Sequence, residues 1–307
     1  MKQKYFALFV AFTMSLAGMS NELVLNITVA EAGNILNYLP MDKLSDITSL
    51  TISGKLYETD IAIVKMCTNL KYLNMANATI SESPEGSKRR KESWGGFKYP
   101  HMPNCYIPSN AFSGMKLIEV VLPKTLKLIR YSAFRDCLSL QRVYLGESLM
   151  IIERGAFANT SLSEVKFPKS LIKIEGDAFD NVATLREIDL SACIMEDFYD
   201  FVRGAEENAR IGCLPNLDIF KMPQGMTTFN PFVTIGCSNL KDVYVGKDVK
   251  VIYYSLDHIN LHFQSEIAPE IKFEKITNCT IYVPKNGNIT SYYATFNCNG
   301  NKIIQEQ

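Results

Sequence analysis

Glu164 and Glu187 occupy the same place in two copies of a repeated pattern, 23 residues apart. If consecutive copies lay side by side as strands, equivalent residues would sit about 4.8 Å apart. That is near the separation of the carboxylate pair in a retaining glycosidase, where one acid protonates the leaving group and the other attacks the sugar. The neighbouring residues favour a plainer reading. Arg142 and Lys166 interleave with the two acids, as in a solvated ladder of alternating charge, and no segment supplies a second wall to exclude water.

The other chemistry-bearing residues fare no better as a catalytic set. Of the three histidines, His101, His258 and His262, the last two are spaced i, i+4. On a helix that spacing shares a metal, but INLHF (259–263) reads as a strand, so the helical argument does not apply. Cys67, Cys137 and Cys237 each stand three residues before a strand leucine and are expected to be core thiols, with Cys279 similarly placed. Cys193 and Cys213 are not both explained by the repeat and are the one candidate pair for a disulfide. There is no C-x-x-C pair, G-x-S-x-G elbow, P-loop or G-x-G-x-x-G motif. No enzyme activity, metal or cofactor is expected. Lys+Arg and Asp+Glu balance at 32 each, which gives no basic footprint for nucleic acid.

The elements that position these residues are repeats. The motif I-x-x-x-A-F occurs as IPSNAF (107–112), IRYSAF (129–134), IERGAF (152–157) and IEGDAF (174–179). A second motif, L-x-x-V-x-L, has its first leucine at Leu117, Leu140, Leu162, Leu185, Leu217 and Leu240, with NLKYLNMA (69–76) and DITSLTIS (46–53) in the same frame. The alternation in V-x-L is strand-like, and the Pro or Gly after it ends the strand. A unit of 22–23 residues cannot hide both of its apolar edges alone, whereas stacked units form one continuous core. Alanine is expected where the chain turns inward with little room, with Phe filling the interior beyond it.

These features resemble the BspA-like branch of the leucine-rich repeat family. The carrying residues are the L-x-x-V-x-L-P strands, the I-x-x-x-A-F halves, the joins Cys67–Leu70, Cys137–Leu140 and Cys237–Leu240, and the ending NCTIYVPKNGNITSYYATF (278–296). The resemblance implies a mostly-β solenoid of the α/β class: a right-handed superhelix with one parallel sheet, short second strands or turns on its other side, and few helices. It also implies an exported bacterial protein that binds a protein partner, such as a host extracellular matrix or surface protein.

The chain divides accordingly. Residues 1–20 read as a signal peptide, with Lys2 and Lys4 before an apolar run too short to span a bilayer. The protein is therefore expected at the cell surface, secreted, or in the periplasm. Residues 21–45 form an N-terminal capping segment, and the pattern Thr28-x-x-Glu31 predicts a helix over 28–39. A second helix is expected around 59–67. The solenoid runs over 46–284, with insertions at 80–106 and 191–214, and 285–307 close it. Within the second insertion, Ile194, Phe198, Phe201, Val202 and Ala205 share a helical face.

The candidate contact residues lie on the outward strand positions and in the first insertion. On the strands they are Tyr72, Arg142, Tyr144, Lys166, Asp189, Tyr244 and Tyr282. In the insertion, Lys88, Arg89 and Arg90 precede Trp94, Phe97 and Tyr99, and cations beside aromatics suit recognition. The leading expectation is a non-catalytic adhesion module; the alternatives are a structural component of the cell envelope and, behind it, a glycan-active enzyme. A monomer is expected.

Overall fold

The computed structural model describes residues 22–85, 105–195, 211–229, 236–253, 256–272, 276–297 and 299–307. The chain is a mostly-β solenoid whose strands pair in parallel with those of the preceding and following coils. On one side, the front, Leu23–Val29, Ile47–Tyr57, Tyr72–Asn74, Glu119–Val121 and Arg142–Tyr144 pair in that order. A second front section joins Glu187–Asp189, Ile219–Lys221, Asp242–Val245, Asn260–Phe263, Thr280–Val283 and Lys302–Gln305. The coil between the sections contributes only an isolated bridge, Arg142 to Glu164. The expected single front sheet is thus two sections on one solenoid.

The back carries two- and three-residue strands. Tyr106–Ile107, Leu128–Ile129, Ile151–Ile152 and Lys173–Ile174 pair in order, and Thr228–Phe229, Val251–Tyr253 and Glu270–Lys272 form a second set. The core runs unbroken between front and back from Leu25 to Phe296.

The I-x-x-x-A-F motif acquires a physical reading. The residue before each Ala is left-handed: Asn110 (φ 56°), Ser132 (52°), Gly155 (65°) and Asp177 (57°). So is the second residue after each Phe: Gly114 (75°), Asp136 (61°), Asn159 (57°) and Asn181 (56°). These are mostly Gly, Asn and Asp, the types that enter this region at least cost. The paired turns aim the Phe inward and let its N–H reach the next coil's alanine carbonyl, at 2.8, 2.8 and 2.7 Å for Phe112, Phe134 and Phe157 donating to Ala133, Ala156 and Ala178. The rings of Phe112, Phe134, Phe157 and Phe179 stack at 5.1, 5.3 and 5.4 Å between centroids, all fully buried. Each such side chain contributes about 1.5–3 kcal/mol through burial alone.

The irregular parts follow the local sequence pattern in some places and depart from it in others. The helix expected over 28–39 is not formed. Leu23–Val29 is instead the first strand of the solenoid, with Leu25, Ile27 and Val29 buried, and only Ile35–Tyr38 turns, as a 3-10 helix. The period-two apolar pattern LVLNITV places a whole row in the core, which a single Thr–Glu capping pattern cannot match. The second helix is present as Glu58–Val64. The closing segment holds a helix, Ile289–Phe296, with Tyr292 and Phe296 buried, and then adds one further front strand, Lys302–Gln305. The first insertion is narrower than its sequence frame: Ile80 is core, and Tyr106 begins the back strands. The helix read in the second insertion lies outside the described residues from residue 196 on. Among the described residues, no helix is long and apolar enough to cross a membrane.

Candidate binding face

Strand register builds two parallel columns of outward side chains on the front. In the first section, Thr51, Asn74, Val121 and Tyr144 align in one column, and Ser49, Tyr72, Glu119, Arg142 and Glu164 in the other. Tyr72 and Tyr144 are about half exposed, at 44% and 51%. The Arg142 Nε donates to Glu119 Oε2 at 2.7 Å, and that bond raises the guanidinium pKa further. Lys166 pairs with Glu164 at 3.4 Å, both well exposed.

In the second section the columns are Asp189, Lys221, Tyr244, His262, Tyr282 and Ile304, beside Glu187, Ile219, Asp242, Asn260, Thr280 and Lys302. Here the rings form a stack. His262 lies between Tyr244 and Tyr282 with centroids 4.3 and 4.4 Å away and planes within 9° and 3°. Its Nε2 is 2.9 Å from Asp242 Oδ1, an oxygen that also accepts from Asn260 Nδ2 at 3.0 Å. At the head of the stack, Lys221 Nζ lies 5.7 Å from the centre of the Tyr244 ring, a cation–π approach.

Lys221 is the electrostatic hinge of this section. It reaches Glu187 Oε1 at 2.7 Å and Asp189 Oδ2 at 3.0 Å. Those two hydrogen bonds hold the ammonium charged and push its pKa up. Burial pushes the Asp189 carboxyl up, but hydrogen bonds from the Ser191 hydroxyl and N–H and from Lys221 outweigh it, so its pKa falls below the ordinary value. Glu164 and Glu187 do not act as a free carboxylate pair: each is tied to a lysine, and their coils are not joined by a strand ladder.

Seven of the residues singled out in the sequence therefore share the front: Tyr72, Arg142, Tyr144, Lys166, Asp189, Tyr244 and Tyr282. Sequence spacing missed His262 as a rung of the stack. Its coil advances 18 residues from Tyr244 and 20 to Tyr282, short of the 22–23 frame, although NLHF alternates as a strand should. Lys88, Arg89, Arg90, Trp94, Phe97, Tyr99 and His101 lie outside the described residues.

The cysteines behave as core groups. Cys137 Sγ donates to Phe112 O at 3.0 Å, and burial pushes its pKa up to about 12. Burial likewise lifts Cys67 and Cys237 to about 11. The pair Cys193 and Cys213 is not bridged, which corrects the disulfide considered from sequence. Cys193 is buried under its own coil and aims its thiol at Pro168 O, 3.5 Å away, rather than across the insertion. His258 and His262 face different carboxylates, Asp257 at 2.8 Å and Asp242 at 2.9 Å, and no metal-ligand cluster occurs among the described residues.

Comparison with known proteins bears on the repeats. The family model described as BspA type Leucine rich repeat region matches residues 105–201, in six copies. Among solved structures, the chain is similar to a leucine-rich repeat protein of T. pallidum, at 25% identity and TM-score 0.39, over 48% of this chain and 68% of that one. It is also similar to a leucine-rich repeat protein from Bacteroides ovatus, at 15% identity and TM-score 0.40, over 92% of this chain and 66% of that one. A leucine rich cell surface protein from Faecalibacterium prausnitzii matches at 16% identity and TM-score 0.32, over 99% and 96%. No curated protein matches the chain. Repeats of this kind point to a protein-interaction or surface repeat protein.

Proposed function

We propose, for a chain whose repeats are leucine-rich repeats of the BspA type, that it is an exported, non-catalytic module that binds a protein partner at the cell surface through its front face. The observation that carries this is the Tyr244–His262–Tyr282 stack with Lys221 at its head. Three rings held parallel by strand register have already lost their rotamer freedom, so little ordering cost remains when a partner docks. Tyrosine is among the residue types enriched where binding energy concentrates in protein interfaces. Tyr72, Tyr144 and the Glu119–Arg142 pair extend the face across the first section. The ion pairs at Glu164 and Glu187 serve as solvated charge rather than as acid and nucleophile. Export rests on the N-terminal apolar run, and adhesion to a host matrix or surface protein on family resemblance.

Two experiments test this in order. Protease shaving of intact cells, with detection of peptides from residues 80–106, places the protein outside if those peptides appear before the envelope is broken. The immobilised protein is then screened against purified extracellular matrix proteins by surface plasmon resonance. A partner found there should bind the combined variant Tyr244→Ala, His262→Ala, Tyr282→Ala at least ten-fold more weakly. Protection of the segment in intact cells, or undiminished binding by the folded variant, would overturn the reading.

A further inference from the structure

The first front strand is an edge with few of the usual protections: one register shift in its ladder, at Leu23/Val24, and Glu22 just before it. Among the described residues, Leu23–Val29 pairs on one side only, with Ile47–Tyr57. Its sequence, LVLNITV, has no charge, no proline and no glycine over seven residues. Natural sheets guard such edges with lysine, proline, bulges or short length, because a bare row of N–H and C=O groups templates another strand. The opposite end of the same solenoid is guarded. Its last strand, Lys302–Gln305, is only four residues long and carries a lysine at its start.

The bare strand is also its own complement. Laid antiparallel against a copy of itself about Asn26, Leu23 meets Val29, Val24 meets Thr28, Leu25 meets Ile27, and Asn26 meets Asn26. All seven residues pair, inward apolar against inward apolar, and no like charges meet. A two-fold axis perpendicular to the sheet makes this pairing and keeps both cores on the same side, which is the symmetry of an isologous dimer. The rest of the first coil supplies apolar surface at the same end: Val24, Leu36 and Met41 are 43%, 43% and 52% exposed.

We infer that the protein forms a two-fold dimer in which the Leu23–Val29 strands of two copies pair antiparallel about Asn26, joining the front sheets into one surface with two aromatic stacks. This replaces the expectation of a monomer, and it does not depend on the partner proposed above.

The test is the mass of the purified protein by sedimentation velocity at micromolar concentration. Wild type should sediment as a dimer, and Asn26→Lys, which sets two lysines against each other on the axis, should sediment at half that mass with unchanged circular dichroism. Asn26→Cys should form an intermolecular disulfide on mild oxidation, because directly opposed residues of an antiparallel pair lie about 4.5–5.5 Å apart at Cα, within disulfide reach. Gln305→Lys at the other end should leave the dimer intact. A monomeric wild type, or a dimer that survives Asn26→Lys and gives no cross-link in Asn26→Cys, overturns the inference. So does a dimer abolished by Gln305→Lys, which would mean head-to-tail assembly.

Discussion

Ser132 should be replaceable by glycine with a gain in stability. It occupies the left-handed position before the alanine of IRYSAF, at φ 52°, where IERGAF has Gly155 at φ 65°. Its side chain is 1% exposed, and the hydroxyl oxygen has no hydrogen-bond partner. Releasing an L-residue from left-handed backbone returns about 1–2 kcal/mol. Removing an unpaired buried hydroxyl returns about 1–3 kcal/mol. Against this stand about 0.5–1 kcal/mol for the greater freedom of glycine in the unfolded chain and about 1 kcal/mol for the lost burial of one carbon. The balance is a gain centred on about 2 kcal/mol, or roughly 3 °C in Tm for a protein of this size. Ser132→Ala isolates the hydroxyl, because it removes that group but keeps the Cβ; it should gain about as much as Ser132→Gly, whose relief of strain is offset by the freedom of glycine and the lost carbon. Guanidinium denaturation followed by circular dichroism measures both. A loss of stability in Ser132→Gly would show that the hydroxyl is paired or the backbone is not held left-handed, and the account of the motif would fail.

Phe157 stacks between Phe134 and Phe179, so Phe157→Ala should cost about 3–5 kcal/mol. Because each coil contacts only its neighbours, urea unfolding of that variant should split into two transitions where the wild type shows one. The Asp189 carboxyl titrates lower in the folded state than when unfolded, so the stability it contributes is present above the ordinary carboxylate value of 3.8 and is lost as pH falls through the lower folded value. Asp189→Asn should therefore flatten part of the acid limb of a stability–pH curve, and an unchanged curve would contradict the Ser191 and Lys221 bonds. Cys137, with its pKa pushed up to about 12 and its thiol bonded to Phe112 O, should resist iodoacetamide at pH 8 in the native protein and react fully in denaturant. Mass spectrometry of the alkylated peptides decides it.

The sequence alone determined what depends on local periodicity. The 22–23-residue frame requires a solenoid, because one unit cannot bury its own Leu, Ile and Phe. It also placed Tyr72, Arg142, Tyr144, Asp189 and Tyr244 on one face, because side chains alternate along a strand and register repeats from coil to coil. The small Ala and the core cysteines followed from the same equivalence. What the sequence left open depends on contacts between residues far apart in the chain. Thr28 and Glu31 fit a helix cap locally, yet a strand forms because Ile47–Tyr57 offers a ladder to pair with. His262 read as part of a strand with no assigned role, and only the pairing of Asn260–Phe263 with Asp242–Val245 and Thr280–Val283 made it the middle ring of a stack. The Cys193–Cys213 bridge likewise depended on where two backbones lie, which spacing along the chain does not encode. A repeat fixes which face a residue takes; the register between coils decides which residue it meets there.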